Sequence, residues 1–121
     1  MTEEAVLSFV KGAIKSAWPL ELLLLMQKQP ETAWRVRELV RELRASTGAV
    51  EESLATLIAA GLVATRETGV YTYAPKTPAL AELVAALVDL YSRKPITVMN
   101  AIFSSPNDKI RSFSDAFLLK K

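Results

Sequence analysis

Residues 50–73, VEESLATLIAAGLVATRETGVYTY, pass from a helical pattern into a strand pattern across a single glycine. Val50, Leu54, Leu57 and Ile58 recur at three- and four-residue steps, which places them on one helical stripe. The period stops at Ala60-Gly61, where glycine can take the positive φ that closes a helix. Leu62-Val63 then opens a compact hairpin, with strands expected near Leu62–Arg66 and Val70–Ala74 around Glu67-Thr68-Gly69. Upstream, Val36, Leu39, Val40 and Leu43 predict a short helix over Arg35–Arg44. Ala45-Ser46-Thr47-Gly48 reads as the turn between the two helices, with Ser46 or Thr47 as N-cap.

The flanks extend this unit. Glu3–Lys15 is an expected amphipathic helix carrying Val6, Leu7, Phe9, Val10 and Ile14. Pro19 suits the first turn of a second helix through Gln29, apolar nearly all round and therefore expected in the core. Thr32-Ala33-Trp34 reads as a small edge strand beside the hairpin, and Trp18 and Trp34 as core anchors. Thr77-Pro78 is a helix start, with the threonine as cap and the proline at the first helical position. Pro95 should kink the long helix that follows or divide it in two. Asp108–Lys121 forms an amphipathic tail with Ile110, Phe113, Ala116 and Phe117 at helical spacing.

Composition narrows the function classes. A chain of 121 residues with no cysteine and no histidine lacks disulfides, thiolate nucleophiles, Ser-His dyads and the usual zinc ligands. Its four glycines are scattered at 12, 48, 61 and 69, so no phosphate-cradling loop is present. Adjacent carboxylates, Glu3-Glu4 and Glu51-Glu52, diverge by about 100° on a helix and do not converge on a substrate. No enzyme activity, cofactor or metal is expected. The acidic Met1–Glu4 and the absence of a roughly 20-residue apolar run favour a cytoplasmic protein without a membrane span.

The order of elements over Glu38–Tyr73, ELVRELRASTGAVEESLATLIAAGLVATRETGVYTY, resembles the winged helix-turn-helix superfamily, most of all MarR-like and ArsR-like bacterial transcription regulators. The resemblance implies a mainly α (α+β) fold: a winged helix-turn-helix with a small β-hairpin wing and additional N- and C-terminal helices. Residues 1–75 would hold that unit, and 76–121 the long C-terminal helix and basic tail. It implies duplex DNA as partner, with the second helix of the pair in the major groove, the first across the backbone and the wing on phosphate or the minor groove. Groove-facing positions would be Ser46, Thr47, Gly48, Glu51 and Glu52; wing contacts would come from Arg66, Thr68 and Lys76.

Charge is unevenly placed for such a role. Residues 45–90 hold two bases, Arg66 and Lys76, against five acids, Glu51, Glu52, Glu67, Glu82 and Asp89. Glu51 and Glu52 either accept from cytosine N4 or simply complement a helix N-terminus. Arg35, Arg37, Arg41 and Arg44 precede them; the last three sit at i, i+4 and i+7. They form either a phosphate clamp or a solvated face paired with Glu38 and Glu42. The alternative to DNA binding is a winged-helix protein-interaction module that uses its acidic helix or basic C-terminal tail. Finally, the apolar surface of the long helix, Leu80, Leu83, Val84, Leu87, Leu90 and Tyr91, suggests a homodimer interface unless the N-terminal helices cover it.

Overall fold

The computed structural model describes residues 2–103; the expected tail Asp108–Lys121 lies outside the described residues. The chain runs α1 (Glu3–Phe9), a π-helical turn (Val10–Ile14), α2 (Ala17–Lys28), β1 (Trp34–Arg35), α3 (Val36–Leu43), α4 (Thr47–Ala59), β2 (Val63–Glu67), β3 (Val70–Tyr73), α5 (Pro78–Arg93) and α6 (Pro95–Phe103). The three strands are antiparallel in the order β1-β3-β2, with Trp34 opposite Tyr71 and Val63 opposite Tyr73. This is a mainly α (α+β), winged-helix-like layout.

The handover from α4 to the hairpin follows from Gly61. Its φ of +78° reverses the backbone, the Gly61 N–H donates to the Ile58 carbonyl (3.0 Å), and the Leu62 N–H donates to that of Leu57 (3.0 Å). These two bonds form a Schellman cap, sealed by fully buried Leu57 and Leu62. The carbonyls of Gly61 and Leu62 then accept from the Lys76 and Ala74 N–H groups at 2.8 and 2.9 Å, so the chain leaving β3 is pinned to the same point. The hairpin turn is tighter than the sequence suggests. Glu67 pairs with Val70, leaving Thr68-Gly69 at the tip, and Arg66 is the extra residue of a bulge between Thr65 and Glu67.

Two packed groups of helices share one core. Pro19, Leu20, Leu22, Leu23 and Met26 of α2 are buried, and α2 packs on α3, α4 and β3. The α1 helix packs against α5 and α6, and its π-turn touches α2, α4 and α6. Val6, Val10 and Ile14 point inward along this rod. Pro95 divides the C-terminal helix in two, because it offers no N–H and its ring crowds the carbonyl four residues back. Trp34 is buried as expected, with its indole N–H unpartnered; Trp18 is 43% exposed and is not a core anchor.

The long helix is not apolar on every side. Val84, Leu87 and Leu90 are buried within the single chain, and Leu80, Leu83 and Tyr91 are half-buried. Its outward stripe is Glu82, Ala85, Asp89, Ser92 and Arg93. Helices α1 and α6 of the same chain pack against α5.

Replacing Gly61 with alanine should cost about 1–2 kcal/mol, the penalty of a Cβ at left-handed φ, because a Cβ there meets the Lys76 side chain at 3.3 Å and Leu80 Cδ1 at 3.4 Å. Urea unfolding checks this; an unchanged midpoint refutes the cap. A second expectation concerns Tyr91, whose phenol is pushed up from its ordinary value of 10.0 by burial and then by the Glu21 carboxylate and a hydrogen bond to it. The unfolded phenol ionises first, so this contribution is complete below about pH 10 and disappears as pH rises through the folded value. Tyr91→Phe should therefore flatten the alkaline loss of stability in a pH series of thermal melts.

Candidate nucleic-acid interface

Local chemistry places the N-terminus of α4 at the surface. Ser46 is the N-cap: its Oγ accepts from the Ala49 N–H at 3.1 Å, in the geometry that satisfies a free helix donor. Only Arg44-Ala45-Ser46 form the turn, since Thr47 and Gly48 already belong to the first turn of α4. Arg44 sits at φ 54° and ψ 40°, the left-handed position that ends α3. At the opposite end of α3, the Glu38 carboxylate accepts the Arg35 backbone N–H at 2.8 Å. Arginine has no acceptor to return that bond, so the capping is one-sided.

Thr47, Gly48, Glu51 and Glu52 are all exposed, as a helix that meets a macromolecule requires. The outward arc of α4 continues through Ala55, Ile58 and Ala59 and holds no base. Ser46 is exposed; its Oγ accepts the cap hydrogen bond, which leaves its O–H free to donate.

Arg37, Arg41 and Arg44 follow one flank of α3, beside the buried Leu39 and half-buried Val36, Val40 and Leu43. The described ion pairs are Arg93 with Asp89 and Lys94 with Glu3; none involves an arginine of α3, so the pairing with Glu38 and Glu42 offered by the alternative reading is not among them. Arg35 belongs elsewhere. It lies on β1 opposite Val70, next to the wing turn, and so joins the wing rather than the α3 stripe.

The wing residues are divided. Thr68 is exposed at the tip. Arg66 is exposed at the bulge, where its Nε donates to Thr72 Oγ1 at 3.4 Å. Lys76 is not a wing-tip residue: its side chain lies on Gly61, at the C-terminal end of α4. With α4 about 20 Å long, Lys76 and Thr47 mark opposite ends of that helix.

One feature is not legible in the spacing. Between the π-turn and α4 lies a groove of about 440 Å³, lined by Gly12, Ala13, Lys15, Ala55, Thr56, Ala59 and Ala60. Small residues at 12, 13, 55 and 59 are visible in the sequence, but the widened turn that aligns them is not. Among the described residues no group of three or more acidic side chains is placed to hold a metal, and no helix is long and apolar enough to cross a membrane. Searches against protein-family models, curated proteins and solved structures find no match to this chain.

The cap assignment has a direct consequence. Ser46→Ala should destabilise the protein by about 1 kcal/mol, while Thr47→Ala, one residue inside the helix, should leave the urea midpoint nearly unchanged. Equal effects at both positions refute the cap.

Proposed function

We propose that this chain is a winged-helix DNA-binding protein acting as a transcription regulator, of the kind found among MarR-like and ArsR-like bacterial proteins. The observation that carries the reading is the α3 flank: Arg37, Arg41 and Arg44 are exposed, free of ion pairs with described residues, and contiguous with the exposed start of α4. Cations left unpaired on the first helix of such a pair are suited to phosphate oxygens, which fix orientation without reading sequence. Arg35 and Arg66 add two cations on the wing sheet. Ser46, Thr47 and Glu51 are the side chains offered to base edges, so sequence readout is limited and backbone contact supplies most of the affinity.

A second reading is favoured by one observation, the acidic and then apolar arc of α4, Glu51, Glu52, Ala55 and Ile58. That surface suits a protein partner, and the chain would then be an interaction module without DNA binding.

Titration of a mixed-sequence duplex by fluorescence anisotropy across a salt series separates the two. Neutralising five phosphates, one for each of Arg35, Arg37, Arg41, Arg44 and Arg66, gives a slope of log K against log salt of about −4.5. The double variant Arg37→Ala/Arg41→Ala should flatten it by about 1.8. Absence of binding at low salt discards the DNA reading in favour of the interaction module.

A further inference from the structure

Helix α6 carries two apolar faces. Val98, Ala101 and Ile102 are buried in the core, while Ile96, Met99 and Phe103 follow one another at i, i+3 and i+7 on the opposite side. Ile96 is 71% exposed and Phe103 59% exposed; Met99 between them is half-buried. No residue of α6 is charged, and Thr97 and Asn100 are its only polar side chains. Two large exposed apolar side chains on one short uncharged helix mark a surface that binds something.

The sequence immediately beyond supplies a matching triplet. Ile110, Phe113 and Phe117 are again spaced i, i+3 and i+7, and residues 104–109 separate the two sets. That interval contains Ser104-Ser105-Pro106-Asn107, residue types that favour chain reversal, and its length falls within the ordinary range for joining neighbouring helices. Counted outward from the interval, Phe103 matches Ile110, Met99 matches Phe113 and Ile96 matches Phe117. A segment tethered this closely acts at an effective concentration in the millimolar range, far above that of a second copy in solution.

We propose that the Ile96–Met99–Phe103 stripe of α6 is the docking surface for the chain's own Ile110, Phe113 and Phe117. The occupant is intramolecular, and the seat is separate from the α3–α4 surface assigned to DNA. The inference therefore stands whether or not the chain binds nucleic acid.

The absence of cysteine makes the test clean. Three double variants of the full chain, Phe103→Cys/Ile110→Cys, Met99→Cys/Phe113→Cys and Ile96→Cys/Phe117→Cys, are oxidised at low protein concentration. A control, Ala85→Cys/Phe113→Cys, places one thiol on the outward stripe of α5. The expected result is a disulfide within one chain, read as a monomer whose mass falls by two hydrogens, for at least one matched pair and not for the control. Closure of the control to the same extent overturns the proposal, as does failure of all three matched pairs. Disulfides only between chains overturn it in favour of a second copy on α6.

Discussion

The backbone at Gly61 and Leu62 is the constraint from which the remaining arrangement follows. Within two residues it ends α4, begins β2 and receives both hydrogen bonds that anchor the chain leaving β3. A residue with a Cβ would be strained there and would press on Lys76 and Leu80, so the wing, the end of α4 and the entry to α5 are registered against each other through one glycine. At the other end of α4, Val50, Ser53 and Leu54 pack inward while Thr47, Gly48, Glu51 and Glu52 face outward.

Charge and apolar surface are sorted onto different elements. The bases of this region lie on α3 and the wing sheet, beside the exposed acids Glu38, Glu42 and Glu67, whereas the start of α4 carries acids alone. If α4 entered a major groove, its glutamates would oppose phosphate while the α3 arginines attracted it. On the DNA-binding proposal, that balance would suit holding the backbone over reading bases. On α5, by contrast, Val84, Leu87 and Leu90 are buried within the chain, where α1 and α6 pack, while Leu80, Leu83 and Tyr91 stay half-buried. The exposed apolar side chains moved one helix further along, to α6, once Pro95 divided the two.

The residues that depend on local rules were readable from the chain alone. Periodicity located α3 and α4, threonine and proline placed the start of α5, and glycine marked the end of α4, because helix period, capping and positive φ are set by near neighbours. The break at Pro95 belongs to the same class, and so does the existence of an edge strand, although it forms at Trp34–Arg35 and not over Thr32-Ala33-Trp34. Tertiary structure decided everything that turns on which surfaces meet. It covered Val84, Leu87 and Leu90, left Trp18 exposed, moved Arg35 to the wing and Lys76 to the base of α4, and widened α1 into a π-turn that opens a groove. A sequence pattern states that a side chain is apolar or charged; which neighbour covers or leaves it depends on contacts between residues distant along the chain, and no local period records those.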